Sequence, residues 1–277
     1  MGTSGCYKGP GKGSPLIPSW LDPAAPQIPP TATPTQQNPN ANPGTPTPVP
    51  MPQTVAFQGP RVNMTRFVKS GGTDKPLLRR AISQYAKATG GTGIKRMVAA
   101  RNVGTKVLGF LSDVRARGAD QALRVFRLEH LSGQPIEQIF VGLADFVCPI
   151  SGGVEEGLTR EAFFEAIAEF SEVGLTDLNN LASDQVKTIL GIFVAKSIEA
   201  RLIADIAVKS IFLPQDVSSA EQVQKDIGEF IRGCVVDAIA TNSVDNVPST
   251  RLAAVIDDIY RSSFELMKQL GETEGGQ

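Results

Sequence analysis

Residues 183–212 read SDQVKTILGIFVAKSIEARLIADIAVKSIF. Apolar side chains recur there at intervals of three and four residues, namely Val186, Leu190, Phe193, Ala200, Ala204, Val208 and Ile211. That period is typical of a helix with one buried face. Ser183 is a residue type that caps helices, and Pro214 cannot continue one. The stretch therefore predicts the longest helix of the chain, from Ser183 to about residue 212.

The same spacing continues on both sides of this stretch. Capping residues predict that helices begin at Asp74, Ser219 and Pro248. Glycines predict that helices end at Gly90, Gly174 and Gly271. The helices predicted besides 183–212 are 74–90, a short one around 94–100, 104–116, 119–129, 132–147, 159–174, one from Ser219 onward and 248–271, with a single turn at 177–181. No useful stretch alternates apolar and polar residues, so a sheet is not expected. We predict an all-α, multi-helix bundle.

The first sixty residues have a different composition. Fifteen of the twenty prolines precede residue 61, and the only charged residues there are Lys8, Lys12 and Asp22. Such a segment cannot bury enough apolar surface to offset the entropy of ordering. We expect a long disordered, Pro-rich N-terminal arm. Its predicted parts are a recognition peptide at 1–22, a disordered Pro/Thr/Asn-rich linker at 23–60 and an irregular basic arm at 61–73. An α-helical domain at 74–271 and a disordered tail at 272–277 follow.

The tip of the arm, residues 1–22, reads MGTSGCYKGPGKGSPLIPSWLD and contains the only tryptophan, Trp20. Large apolar side chains are costly to leave in water, and prolines restrict the backbone that carries them. Such a segment docks on a partner or on its own helical body. We predict a partner-binding peptide made of Thr3, Ser4, Gly5, Pro15, Leu16, Ile17, Pro18 and Trp20.

Charge and cysteine usage bound the class of protein. The net charge of −1 and the pI of about 6.0 give no whole-protein case for nucleic acid or anionic membrane binding. Three widely spaced cysteines fit a reducing compartment, and neither a secretory signal nor a membrane-spanning run is visible. We expect a soluble, cytoplasmic protein with no membrane partner.

No pattern for catalysis or for a cofactor stands out. The single histidine, His130, lacks metal-ligand spacing to Cys148, and Cys148 and Cys234 lie in apolar helical contexts typical of core residues. The loop at 9–14 fails as a phosphate-binding loop, since Gly13 stands where a serine or threonine would bind magnesium. Carboxylates such as Asp205 are expected on polar faces. We predict no enzyme activity, no cofactor and no metal site.

A basic cluster lies in the first third of the body, within residues 79–117. It comprises Arg79, Arg80, Lys95, Arg96, Arg101, Arg115 and Arg117. These side chains either meet nucleic acid or an acidic partner, or pair with the acidic helices later in the chain. The sequence leaves contact with nucleic acid open.

The N-terminus offers one distinct chemical group. A small second residue, Gly2, permits removal of the initiator methionine. The freed α-amine would be unhindered, with a pKa of about 8 against about 10.4 for lysine. We therefore consider Gly2 a candidate acceptor for modification, with an unmodified N-terminus as the alternative.

Several segments together resemble the QatB proteins of the bacterial Qat anti-phage defence system. They are residues 1–4 (MGTS), 9–11 (GPG), 14–20 (SPLIPSW), a Pro/Thr/Asn-rich spacer, 66–72 (RFVKSGG) and 78–85 (LRRAISQY). The resemblance implies an accessory defence protein encoded with an ATPase, a QueC-like enzyme of the QatC type and a TatD-like nuclease. QueC enzymes activate a 7-deazaguanine carboxylate with ATP and join it to ammonia.

The resemblance gives the residues a specific role. A QueC-like partner could accept a protein α-amine in place of ammonia, which makes Gly2 the acceptor of a 7-deazaguanine amide. We expect a non-enzymatic defence component whose N-terminal peptide is bound, and modified at Gly2, by that partner. The alternative is an unmodified scaffold that assembles the defence complex through its N-terminal peptide and helical body.

Overall fold

Helices form every regular element in the part of the chain that the structure, a computed structural model, describes. That part is residues 57–150, 152–175, 177–179, 181–207 and 217–270, without the side chains of 90–93 and 207. The prediction of an all-α fold is confirmed. The helices are α1 (Gln58–Lys69), α2 (Lys75–Lys95), α3 (Val98–Arg117), α4 (Ala119–Arg124), α5 (Ile136–Val147), α6 (Val154–Phe170), α7 (Ser183–Ala207), α8 (Val217–Thr241) and α9 (Leu252–Leu270), with short 3₁₀ turns at Glu129–Leu131 and Ser249–Arg251.

Helix α7 lies inside the bundle and is buried on more than one face. It packs on α6 and α8 and also contacts α3. Residues 191–195 and 197–199 are therefore all buried, whereas Ala200 and Ala204 are only half-buried although a single-face pattern predicted them to point inward. The predicted end of this helix, residues 208–212, lies outside the described residues.

Helices α3 and α9 complete the centre of the bundle. α9 packs on α2, α8 and α3, and α3 packs on α4, α6 and α7. Gly104 allows the close approach: a Cβ atom there would lie 3.4 Å from Ile256 Cγ2 on α9 and 3.5 Å from Phe193 Cε1 on α7. The hydroxyl groups of Tyr260 and Ser197 form a buried hydrogen bond of 2.7 Å. Small residues and a satisfied polar pair thus let three helices meet.

The basic segment 61–73 differs from the irregular arm that was predicted. Most of it belongs to α1, which begins at Gln58 and therefore includes the last residues of the predicted linker. Met64, Phe67 and Val68 are spaced as a buried helical stripe, and they are at most 2% exposed. Pro60 lies in the first turn, where a proline is well tolerated. The packed body therefore begins near Phe57.

Several helix boundaries also differ from prediction. Helix α2 continues through Gly90 to Lys95, and α3 begins at Val98, so the expected short helix at 94–100 is divided between them. A glycine inside a helix costs only about 1 kcal/mol, which tertiary packing readily offsets. Helix α4 ends at Arg124, where 129 was expected, and residues 177–179 form a turn in which Asp177 Oδ1 accepts the Asn179 amide hydrogen.

Helix α6 begins earlier than expected, at Val154. Thr159 therefore lies inside the helix, where its hydroxyl donates to Glu155 O. Phe164, predicted to point inward, is 38% exposed beneath the Arg160 guanidinium. Helices α5 and α9 agree closely with prediction, and α8 begins two residues before the expected cap at Ser219. None of the described helices is long and apolar enough to cross a bilayer.

The turn between α1 and α2 generates a stability prediction. Gly72 has φ +82°, and a Cβ atom there would lie 3.1 Å from Asp226 Oδ2 and 3.4 Å from Val223 Cγ2 on α8. Gly72→Ala should therefore incur both the left-handed backbone cost of about 1–2 kcal/mol and a crowding cost of about 1 kcal/mol.

Gly174→Ala is the matched control, because Gly174 has φ +75° with nothing within 4 Å of the position that a Cβ atom would occupy. Denaturant unfolding of both variants should show the larger loss for Gly72→Ala. Equal losses would contradict the close approach of this turn to α8.

Candidate functional site

The residues proposed from sequence for partner binding and modification precede the described part of the chain. Gly2, Thr3, Ser4, Gly5, Pro15, Leu16, Ile17, Pro18 and Trp20 all lie outside the described residues. The structure instead shows the point at which the N-terminal segment enters the body, and the surfaces that the body presents.

Phe57, the first described residue, lies in the core at that entry point. It is 7% exposed, and its ring centroid is 5.5 Å from that of Tyr85 on α2. The guanidinium of Arg96 lies 5.6 Å from the centroid of the Phe57 ring, within cation–π distance. The N-terminal segment is therefore joined to the body at a packed position.

Asp205, near the end of α7, is the centre of the polar contacts at this position. Its side chain is 8% exposed and accepts hydrogen bonds from Arg96 Nη2 at 2.8 Å, Tyr85 Oη at 2.9 Å and Arg201 Nε at 3.2 Å. The expectation that Asp205 occupies a solvated polar face was wrong. A nearly buried carboxylate is stable here because cations and a hydroxyl satisfy its oxygens.

Two further features hold the same junction together. Arg61 on α1 donates from Nη2 to Asp205 O at 2.9 Å and from Nε to Ile206 O at 3.2 Å. These are carbonyls of the last turn of α7, where a cation is favourable. Burial first, and then the charge of Asp205, raises the pKa of Tyr85, so its hydroxyl stays protonated and donates. We call Phe57, Arg61, Tyr85, Arg96, Arg201 and Asp205 the entry junction.

Much of the basic cluster forms ion pairs inside the body. Besides Arg96 with Asp205, Arg101 binds Asp257 through Nε and Nη2 at 2.6 and 2.7 Å, Arg115 Nη1 lies 2.7 Å from Asp245, and Arg117 Nη2 lies 2.6 Å from Asp113. Pairing with acidic residues later in the chain was one of the two interpretations that the sequence left open. The geometry favours it for Arg96, Arg101 and Arg115, whereas Arg117 pairs with a residue of its own helix at a half-exposed position.

One groove of the described body has a volume of about 780 Å³ and is lined mainly by α3, the end of α5 and the segment before α9. Three aromatic rings line it. The Phe126 centroid is 6.0 Å from that of Phe110 and 5.4 Å from that of Phe146, both edge-on. Phe146 is 46% exposed. The volume is in the usual range for ligand-binding clefts, and we call this the aromatic groove.

The cations that line the aromatic groove already have partners. Lys106 Nζ donates to Phe146 O at 3.1 Å and Val147 O at 3.3 Å, at the carbonyl end of α5. Arg115 pairs with Asp245, whose pKa is lowered mainly by a hydrogen bond from the Ser183 hydroxyl. The groove therefore offers the exposed parts of Phe126 and Phe146 beside charged side chains of both signs, since Asp113 lines it together with Lys106 and Arg115. Its aromatic residues lie on separate elements, so the sequence did not show the groove.

Sulfur and histidine offer little chemistry in the described body. Burial raises the pKa values of Cys148 and Cys234 to about 12, so both thiols are protonated at neutral pH. Both are buried and free, which confirms their interpretation as core residues. His130 is exposed in the 3₁₀ turn before α5. Among the described residues no three His, Cys, Asp or Glu side chains are grouped to hold a metal ion.

Carboxylates on α6 and α7 form a second polar cluster around Lys196. Its Nζ lies 3.8 Å from Glu165, 4.0 Å from Glu169 and 3.8 Å from Glu199, and Arg232 on α8 also pairs with Glu169. Glu199 is 5% exposed, and burial raises its pKa. These contacts form an internal ion-pair network that joins three helices.

The comparison with known families is specific. The family model described as "Qat anti-phage system associated protein QatB" matches residues 90–267, which lie in the helical body. No curated protein and no solved structure matches the chain.

The entry junction generates a prediction about Asp205. Asp205→Asn removes a nearly buried charge from Arg96 and Arg201, so we expect unfolding to require about 3 kcal/mol less free energy. Asp258→Asn is the control, since the Asp258–Arg261 pair is 48% and 63% exposed and should contribute less than about 1 kcal/mol. Denaturant unfolding measures both losses, and equal losses would argue against a structural role for the junction.

The Lys196 cluster generates a prediction about pH. Because the Glu199 pKa is raised, the folded state holds this proton at a pH where the unfolded carboxyl, with a pKa of about 4.3, has lost it. The contribution of Glu199 is therefore present below the unfolded pKa and is lost as pH rises through the folded pKa.

Glu199→Gln should remove this pH dependence and leave the protein at least as stable as wild type at neutral pH, since Lys196 keeps Glu165 and Glu169. Glu229→Gln, at a side chain 64% exposed, should change little. Unfolding curves at acidic and neutral pH make the test. A Glu199→Gln protein that is clearly less stable at neutral pH would contradict the assignment.

Proposed function

The chain belongs to the QatB family of Qat anti-phage system associated proteins, and on that premise we propose that it is a non-enzymatic component whose N-terminal peptide is bound by the system's QueC-like enzyme. Family membership makes it an anti-phage defence component with partners inside the Qat system. The proposed partner is the QueC-like enzyme, and the proposed binding segment is the N-terminal peptide.

The observation that carries the proposal is the entry junction. Phe57 is buried and its neighbours are ion-paired, so the residues before it start from a defined point on the body. Thirty-four residues, 23–56, separate that point from the apolar tip. At about 3 Å per residue they reach at most about 100 Å. The tip can therefore enter a partner's pocket while the body stays outside it.

The chemistry proposed at the tip is formation of one amide bond. After removal of Met1, the α-amine of Gly2 has a pKa of about 8, so a useful fraction is unprotonated near neutral pH. Its nitrogen attacks the carboxylate carbon of a 7-deazaguanine acid that the QueC-like enzyme has activated with ATP. The activating group leaves, and the nitrogen loses a proton. Thr3, Ser4 and Gly5 are small enough to follow Gly2 into a narrow pocket.

The remaining predicted residues would hold the peptide in place. Leu16, Ile17 and Trp20 supply apolar anchors, and Pro15 and Pro18 reduce the entropy lost when the peptide binds. Binding through anchors at 15–20 and reaction at Gly2 are separable steps, which makes the proposal testable by deletion.

A scaffold role is the second candidate. In that case the peptide anchors a partner, the helical body binds another component, such as the ATPase or the TatD-like nuclease, and Gly2 stays unmodified. The observation that favours it is the aromatic groove, because Phe146 is 46% exposed beside Phe126. Nucleic acid sensing through the basic helices is less well supported, since four of those arginines are paired with carboxylates.

The two candidates predict different masses for the N-terminal peptide. The chain is co-expressed with the QueC-like enzyme, and its N-terminal peptide is analysed by mass spectrometry. We expect loss of Met1 and a mass gain equal to a 7-deazaguanine acyl group minus the hydrogen it replaces. Deleting residues 2–5 while keeping 14–22 should abolish the gain and preserve capture of the enzyme.

A deletion of the same length in the linker, residues 24–27, is the control and should preserve both the mass gain and the capture. Loss of Met1 with no further mass gain in the wild-type protein would contradict modification and leave the scaffold role.

A further inference from the structure

The aromatic groove leaves apolar surface exposed on the described body. Phe146 is 46% exposed and Phe126 is half-buried, and both line a volume of about 780 Å³. Exposed aromatic surface gathered in a cleft is typical of a binding site for an apolar segment. The question is what covers it.

We propose that residues 15–21 of the same chain, PLIPSWL, dock in the aromatic groove, with Trp20 as the anchor. This segment places Leu16, Ile17, Trp20 and Leu21 within six positions. Elsewhere before Phe57, large apolar residues occur singly between prolines and polar residues. It is therefore the part of the N-terminal region whose chemistry matches the exposed surface of Phe126 and Phe146. An indole can meet those rings edge-on, as they meet one another.

The length of the connecting chain suits this occupant. Arg96 contacts Phe57 and precedes α3, while the groove uses α3 between Thr105 and Ala116. At 1.5 Å per residue these positions lie about 14–30 Å along the helix from Arg96. A proline-rich linker of 34 residues reaches up to about 100 Å at about 3 Å per residue, which exceeds this span.

The linker therefore spans the required distance without being stretched. When a linker can span two sites, the tethered segment has a higher effective concentration at its site than a dilute free segment has. A free partner segment of the same affinity, present at micromolar concentration, would compete poorly. Tethering thus favours the chain's own segment over other apolar peptides.

The charge at the edge of the groove also favours residues 15–21 as the docked segment. Asp22 directly follows the docked segment and is the only carboxylate before Asp74. Lys106 at the edge of the groove donates to two carbonyl oxygens, whereas Asp113, the carboxylate that lines the groove, pairs with Arg117. An ammonium held by neutral acceptors can gain from an approaching carboxylate. Asp22 beside Lys106 would fix the direction in which the segment lies.

Docking within the chain has a consequence for assembly. It covers the same apolar residues that a partner would bind, so a partner must displace them from the body. The intramolecular contact therefore lowers the apparent affinity for any partner of this segment, and weakly binding partners do not displace it. This inference does not rest on modification of Gly2, and docking can be tested in the isolated full-length protein.

Trp20 is the only tryptophan, so fluorescence excited at a wavelength that tyrosine does not absorb reports on this segment alone. We expect the emission maximum of the full-length protein to be blue-shifted from that of a synthetic peptide spanning residues 14–22, with protection from acrylamide quenching. Phe146→Lys should shift the maximum back to the peptide value and remove the protection. A lysine near the C-terminal end of α5 is compatible with the helix dipole.

Val141→Lys is the matched control, because Val141 lies on the same helix and is 53% exposed but does not line the groove. It should leave Trp20 protected. Leu16→Asp tests the contact from the other side and does not alter the body, so it should expose Trp20 even if Phe146→Lys impairs folding. Circular dichroism confirms that each variant keeps its helices.

Three outcomes would overturn the proposal. Trp20 in the wild-type protein could emit like the free peptide. Phe146→Lys and Val141→Lys could give the same shift. Protection could also fade as the protein is diluted, which would mean that the segment of a second copy fills the groove. Protection that is independent of protein concentration and lost in both Phe146→Lys and Leu16→Asp supports docking within one chain.

Discussion

The carboxylate of Asp205 is nearly buried where α1, α2 and α7 meet, and the starting point of the N-terminal segment depends on how that charge is held. Arg96 and Arg201 neutralise it, Tyr85 donates to it, and Arg61 binds the backbone beside it. A buried charge without partners would be strongly destabilising. Because Phe57 packs on Tyr85 and Arg96, the same contacts fix where the remaining chain leaves the body.

The helical character of the body was predictable from local pattern. Helices α5 and α9 have a regular apolar stripe bounded by prolines or glycines, and their bounds agree with the structure within a few residues. Gly90 was misleading because packing offset the small local cost of a helical glycine. The segment that forms most of α1 was predicted to be an irregular arm because of its basic residues, although Met64, Phe67 and Val68 form a buried helical stripe.

The entry junction and the groove were not predictable in the same way. Asp205 is separated from Arg96, Tyr85 and Arg61 by 109, 120 and 144 positions, and no local period links such residues. The aromatic groove likewise takes Phe110, Phe126 and Phe146 from different elements. By contrast, the small residues after Gly2 and the apolar residues at 15–21 are neighbours in the sequence and could be recognised there, whereas the proposed 7-deazaguanine group is what the family resemblance implies.

Together these features support a division of roles within the chain. The helical body is held together by ion-pair networks at two positions along α7 and contains the aromatic groove. In the proposed function, the N-terminal peptide supplies a reactive amine and an apolar anchor, and the linker lets it reach either the body or a partner. In this account the body positions the peptide, and the peptide binds the partner and is modified by it.

The most direct test of that claim is a phage-infection assay in cells that carry the complete Qat system, with residues 2–22 deleted from this chain. The account predicts that protection from phage is lost although the truncated protein accumulates to the normal level with its helices intact. Protection equal to that of the wild-type system would contradict it, because the helical body alone would then be sufficient.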